Sequence, residues 1–156
     1  MINEEIERKF LVSNTEFLKE YQGVQLIQGY LTTDPCRTVR VRIQEHSGYL
    51  TIKGPSTDDG LKRLEWEKEI SISEAEALLE LCLPTPIHKI RYKIPIGTHY
   101  FEVDLFQKDN AGLIIAEIEL NSELDEFDVP EWLGEEVTGN NKYYNSYISK
   151  NPFSTW

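Results

Sequence analysis

The chain has 156 residues, 40% hydrophobic and 28% charged, and 16 Lys plus Arg against 27 Asp plus Glu leave a formal net charge of −11. That length suits a single domain over 1–156, the apolar content is too high for a disordered chain, and the acidic balance excludes a broad nucleic-acid footprint. Cys36 and Cys82 lack metal-type spacing and read as free thiols, while the charged start "MINEEIERKF" and the absence of any apolar run near the ~18 residues of a membrane span predict a cytoplasmic, membrane-free protein.

Period-2 alternation dominates. Candidate strands in chain order are 4–12 (EEIERKFLV), 25–32 (QLIQGYLT), 37–45 (RTVRVRIQE), 49–53 (YLTIK), 63–72 (RLEWEKEISI), 88–94 (HKIRYKI), 99–106 (HYFEVDLF) and 113–120 (LIIAEIEL). Short connections, HSG before Tyr49, PSTDDG before Leu61 and PIGT before His99, predict an antiparallel meander. Helices are expected in SNTEFLKEY, with Ser13 as N-cap and Glu16 three residues on, and in SISEAEALLELC, with Ser73 and Glu76 repeating the device. A third is expected in NNKYYNSYISK near the C-terminus.

The strand faces separate charge from apolar surface. Glu5, Glu7 and Lys9 share one face of the first strand; Thr38, Arg40 and Arg42 oppose Val39, Val41 and Ile43; Thr51 and Lys53 oppose Leu50 and Ile52. Arg63, Glu65, Glu67 and Glu69 oppose Leu64, Trp66 and Ile70, with Lys68 the exception on the apolar side. Lys89, Arg91 and Lys93 form another charged set, as do Glu102 with Asp104 and Glu117 with Glu119. An antiparallel sheet with one wet face also alternates, but Glu pairs and Arg pairs at spacing two repel unless counter-ions lie between them. Eight strands are enough to close a barrel, and closure turns the charged face into a lumen. The fold expected is α+β, mainly β: an eight-stranded antiparallel closed β-barrel with helices packed outside. A lumen lined by both signs suits a polyanion carrying divalent metal, with basic groups on phosphate oxygens and carboxylates on the cation.

On these residues the chain resembles the CYTH superfamily, the triphosphate tunnel metalloenzymes. Their E-x-E-x-K marker is matched by Glu5, Glu7 and Lys9, and QGYL, VRVR, TIKG, RLEWEKEI, KIRY, FEVDLF, AEIEL, GEEVT and KYYN follow in order over nearly the whole chain. ERKFLV with QGYL is similar in particular to the short bacterial members regarded as inorganic triphosphatases. The resemblance implies an eight-stranded tunnel acting on inorganic triphosphate, or another triphosphate-bearing small molecule, with one or two Mg²⁺ or Mn²⁺ ions. It implies metal ligation by Glu5, Glu7, Glu117 and Glu119, with Glu65, Glu67 and Asp104 as second candidates. Phosphate contacts are implied for Lys9, Arg40, Arg42, Lys53 and Arg91; Arg63 is a further candidate, and Lys142 matches a basic position with Tyr143 following where some relatives have Arg.

Lys9 is also expected to stabilise charge developing on the transferring phosphoryl group, and Tyr30 and Lys89 are candidate proton donors or orienters. His46, His88 and His99 read as surface residues, Trp132 and Trp156 as packing for the C-terminal segment, and no P-loop signature is present. The competing readings are a class IV-type adenylyl cyclase or thiamine or nucleoside triphosphatase of the same fold, and a non-catalytic metal-polyphosphate binding module. No nucleic acid or membrane partner is expected, and a homodimer is the one assembly considered.

Overall fold

Each of the eight alternating segments forms a strand in the computed structural model, which describes residues 2–156. They are β1 (Ile2–Val12), β2 (Val24–Thr32), β3 (Thr38–Gln44), β4 (Ser47–Ser56), β5 (Lys62–Ile70), β6 (Ile87–Ile96), β7 (His99–Phe106) and β8 (Ile114–Glu119). A short ninth strand, β9 (Leu133–Glu136), was not foreseen. Neighbours run β5-β4-β3-β2-β6-β7-β8-β1-β9, and β1 pairs again with β5, so the first eight close into an antiparallel barrel.

Closure depends on β1 using both edges. One edge pairs with β8 from Glu7↔Glu119 to Leu11↔Ile115; the other takes β5 along Ile2–Ile6 and then β9 at Phe10 and Val12. No long edge of β1 is left open, and the pleat turns Glu5, Glu7 and Lys9 inward with Arg40, Lys53, Lys89, Arg91 and Glu117, while Glu69 and Lys93 on the same stripes stay exposed. Tight turns set the register of two hairpins, with Gln44 opposite Ser47 and Ile96 opposite His99. Gly97 occupies the second turn at φ 60, where a side chain would be strained.

The apolar faces pack outside the barrel. Ile6, Phe10, Ile94, Phe101, Val103, Ala116 and Ile118 form the main core, roofed by Leu18 and Trp132. Trp132 stacks on Phe17 with centroids 4.3 Å apart, so it belongs to this core; Trp156 packs the C-terminal segment against Tyr143, Tyr147 and Phe153. Helix α1 (Ile72–Glu80) lies over β2, β3 and β4. Its close approach requires Gly48, where a Cβ would come 2.7 Å from that of Ala75.

The helix ends differ from expectation. In α1 the capping box is Ser71 with Glu74, two residues earlier than Ser73 with Glu76: Glu74 N donates to Ser71 Oγ at 3.1 Å and Ser71 N to Glu74 Oε1 at 3.3 Å. Strand β5 ends at Ile70, so Ser71 is the first residue free to turn. Ser13 caps nothing, because its N and Oγ both donate to Trp132 O. The helix there is a 3₁₀ segment, Glu16–Glu20. Near the C-terminus a 3₁₀ turn, Asn141–Tyr143, precedes a four-residue α2 (Asn145–Ile148). Ile148 joins Tyr30, Ile87, Phe106, Leu113 and Ile115 in a second apolar cluster.

Both cysteines are free thiols. His46 is exposed, but His88 and His99 are half-buried, and His99 Nε2 lies 3.1 Å from Asp125 Oδ2, so they are not plain surface residues. No helix among the described residues is long and apolar enough to cross a membrane.

Candidate active site

Inside the barrel the two signs of charge interleave. On the β3, β4 and β5 wall, Lys53 Nζ lies 2.8 Å from Glu5 Oε1 and 3.3 Å from Glu65 Oε2. Glu67 Oε2 accepts from Thr51 Oγ1 at 2.6 Å and stands 3.7 and 3.8 Å from the guanidinium groups of Arg40 and Arg42. On the opposite wall Arg91 grips Asp104 through Nε at 2.7 Å and Nη2 at 2.9 Å, and reaches Glu102 at 2.8 Å. Lys89 Nζ adds a contact of 2.8 Å to Asp104. Lys9 Nζ donates to Tyr143 O at 3.1 Å, lies 3.5 Å from Glu117 Oε1 and sits over the Tyr144 ring.

These pairs do not balance everywhere. Among the described residues the Nε atoms of Arg40 and Arg42 are buried without an acceptor. Burial, then the neighbouring Arg40 and Arg91, push the Arg42 guanidinium down to about 10. Glu7 forms no ion pair among the described residues; burial, then Glu117 and Glu5, push its carboxyl well above the usual range. Burial and a hydrogen bond with Glu5 raise Glu65 to about 7. Burial, then Glu5 and Glu102, raise Glu119 as well. Elsewhere the partners win. Burial works to raise Glu5, Glu117 and Asp104, but Lys53, Lys9 and Arg91 respectively lead the contacts that hold them low. Burial brings Lys89 down to about 8 despite Asp104. The lumen thus contains guanidinium groups short of acceptors and carboxylates short of a cation.

Most residues expected at the site meet in this one lumen. Glu5, Glu7, Lys9, Tyr30, Arg40, Lys53, Lys89, Arg91 and Glu117 line a common cavity of about 70 Å³. Arg63 stands at its border, where its guanidinium donates to Gly54 O at 2.8 and 3.0 Å. A second hollow of about 610 Å³ adjoins the lumen there, at Thr38, Ser56, Gly60, Gly139 and Tyr144. Arg42, Glu65, Glu67, Asp104 and Glu119 reach the lumen's ion-pair and charge network from the same strand faces.

Lys142 stands apart. It is exposed, its backbone N donates to Asn140 Oδ1, and its ammonium sits 4.3 Å from the Trp156 ring centre. The side chain points outward because the 3₁₀ turn turns Tyr143 O, not Lys142, toward Lys9. Asp104 has both oxygens taken by cations, which makes it an anchor for Arg91 and Lys89. Thr51, already on the inward face in the sequence, belongs here, and so do uncharged groups that the face-by-face reading passed over: Gln28, Asn145 and the carbonyl of Tyr143. Gln28 does share the inward parity of Tyr30, a signal that was available.

Residues 3–152 match the CYTH domain family. The chain belongs to that family. It is 46% identical over 156 residues to an inorganic triphosphatase of Acetivibrio thermocellus, covering 99% of each chain. To an inorganic triphosphatase of Nitrosomonas europaea it is 36% identical, covering 93% of this chain and 96% of that protein. A solved structure of an inorganic triphosphatase superposes on this CYTH chain with a TM-score of 0.65 at 33% identity, covering 92% of this chain and 96% of the other. A putative adenylate cyclase from Bacillus halodurans, 20% identical with a TM-score of 0.60 over 78% of this chain and 83% of its own, shares the fold alone.

Proposed function

We propose that this chain, acting as one domain in the cytoplasm, hydrolyses inorganic triphosphate inside the barrel with the help of Mg²⁺ or Mn²⁺. One observation carries the reading: among the described residues the same lumen holds buried guanidinium Nε atoms with no acceptor and a carboxyl, Glu7, that is crowded by Glu117 and Glu5 and forms no ion pair. A metal-bound polyphosphate meets both needs at once.

Among the described residues no three acidic, histidine or cysteine side chains are already gathered to hold a metal ion. The donor chemistry nonetheless fits. Glu7 lies opposite Glu119 and Lys9 opposite Glu117 in the β1–β8 register, so hard oxygen donors from two adjacent strands share one wall. Glu5, Glu7, Glu117 and Glu119 would hold the ion. When bound, it supplies neutralisation of phosphate charge and a more acidic water.

Phosphoryl transfer depends on positioning and on charge stabilisation more than on a covalent nucleophile. Arg40, Arg42 and Lys53 line one wall, Arg91, Lys89 and Lys9 the other, so phosphate oxygens are met from both sides. The loose contacts of Glu67 to Arg40 and Arg42, near 3.7 and 3.8 Å, are ones a phosphate can replace. Arg91 is different: its bidentate grip on Asp104 fixes the guanidinium plane before substrate arrives. Tyr30 and Lys89 orient groups at the reacting end.

The test is release of orthophosphate from tripolyphosphate with Mg²⁺ or Mn²⁺, abolished by EDTA. Formation of cyclic AMP and pyrophosphate from ATP would transfer the reading to a cyclase. Tight binding of tripolyphosphate without turnover would reduce it to a binding module.

A further inference from the structure

Lys89, only 1% exposed, is the most deeply buried cation of the lumen, and a residue from outside the barrel helps to hold it. Its Nζ donates to Asp104 Oδ2 at 2.8 Å and to Asn145 Oδ1 at 3.0 Å. Asn145 is the first residue of α2, on the C-terminal segment whose Tyr144, Asn145 and Ser146 line the lumen. The same oxygen accepts from Gln28 Nε2 at 3.0 Å. Gln28 is wholly buried, and among the described residues no protein group donates to its Oε1.

Hydrogen-bond chemistry leaves one arrangement. An ammonium only donates, so Asn145 must turn its oxygen, not its nitrogen, to Lys89. A second donor to that oxygen must come from Gln28, which therefore presents its amide nitrogen and leaves its carbonyl unmet. A buried acceptor without a donor is destabilising, and an apolar side chain of similar size at position 28 would avoid the defect. Stability alone therefore gives no reason for Gln28. Its effect is to fix Asn145, and through it Lys89. Asp104 and Asn145 take two of the three ammonium donors, the Phe106 ring centre lies 5.4 Å from Nζ, and both Lys89 and Asn145 line the lumen.

We propose that Asn145, backed by Gln28, is a positioning residue that holds the Lys89 ammonium with one donor aimed at the substrate's phosphate. This rests on the reading that the lumen hydrolyses triphosphate. The C-terminal segment is then part of the catalytic apparatus, and its contribution is geometric: Asn145 touches Lys89 and not the reacting atoms.

Kinetics on tripolyphosphate with Mg²⁺, together with thermal unfolding, test it in Asn145→Ala, Gln28→Met and the double variant. Asn145→Ala should lower kcat about 10- to 100-fold with KM within about threefold of the parent, the pattern of an interaction made in the transition state. Gln28→Met should lower kcat about three- to tenfold while its Tm equals or exceeds the parent's, since the unmet carbonyl is gone. The double variant should lose no more than Asn145→Ala alone, because Gln28 acts only through Asn145. Parental kcat in Gln28→Met at unchanged Tm overturns the inference even if Asn145→Ala fails to fold. So do losses that track Tm and multiply in the double variant. An inactive parent overturns the reading of the lumen, and the inference with it; an active parent with unaffected variants overturns the inference alone.

Discussion

Replacing Asp104 by Asn removes the charge at the centre of the best-defined ion cluster. The carboxylate is 1% exposed, is gripped by Arg91 at 2.7 and 2.9 Å and touched by Lys89 at 2.8 Å. The Asn side chain keeps the shape but leaves two buried cations opposite a neutral amide. Breaking a buried pair in this way costs about 3–5 kcal/mol. For a chain of this size, where each kcal/mol moves Tm by about 2–4 °C, the expected fall is roughly 6–20 °C. Burial works to raise the Asp104 carboxyl, but Arg91 and Lys89 hold it well below its ordinary value of 3.8. Its stabilisation is therefore complete above that ordinary value and disappears only as pH falls through the lower, folded-state value. The deficit should accordingly be largest near pH 5 and shrink toward pH 8, where Lys89, already brought down to about 8 by burial and now without the Asp104 charge, gives up its proton. Tripolyphosphate at about 100 times its dissociation constant for each protein adds about 2.7 kcal/mol to either, so it raises both melts and leaves the gap between them. Circular dichroism melts of parent and variant, with and without tripolyphosphate, give the answer. A variant melting within about 2 °C of the parent would show that Asp104 does not hold the two cations together, and would refute the reasoning.

Glu5→Gln and Glu7→Gln should each abolish most turnover and raise the metal concentration needed for what remains, in a metal titration at fixed tripolyphosphate. Glu7→Gln should also leave Tm unchanged or higher, because a crowded buried carboxylate is neutralised. Arg40→Ala and Arg42→Ala should weaken tripolyphosphate binding roughly 10- to 150-fold by calorimetry, the loss of one charge-assisted contact, without lowering Tm. In metal-free protein, Tm should decline as pH rises from about 5 to 8, since burial and like-charge neighbours raise Glu7, Glu119 and Glu65, the last to about 7. A folded value above the unfolded one contributes stability at low pH that is lost as pH passes the folded value, and added Mg²⁺ should flatten that slope. A flat profile without metal would place these carboxylates in water.

The stripe Glu5, Glu7 and Lys9 was legible because strand side chains alternate for local steric reasons, whatever the strand pairs with. The same is true of Thr38, Arg40 and Arg42, and of Lys89 with Arg91, so the barrel and most of its charged lining could be read without coordinates. Which carboxylate meets which cation could not be read. Lys53 lies between Glu5 and Glu65, and Asp104 is held by Arg91 and Lys89, because β1 closes on β5 and β6 pairs with β7 in registers that depend on residues far apart in sequence. Strand β9 has four residues, too few for alternation to stand out from its surroundings. Lys142 was expected at the phosphate only because it matches a basic position in relatives, and the 3₁₀ turn gave the lumen the Tyr143 carbonyl instead. Gln28 and Asn145 carry no charge and are 117 positions apart; their pairing around Lys89 exists only once the C-terminal segment reaches the lumen of the closed barrel. Local geometry is written residue by residue, whereas contacts across a closed sheet depend on every register in the circuit at once.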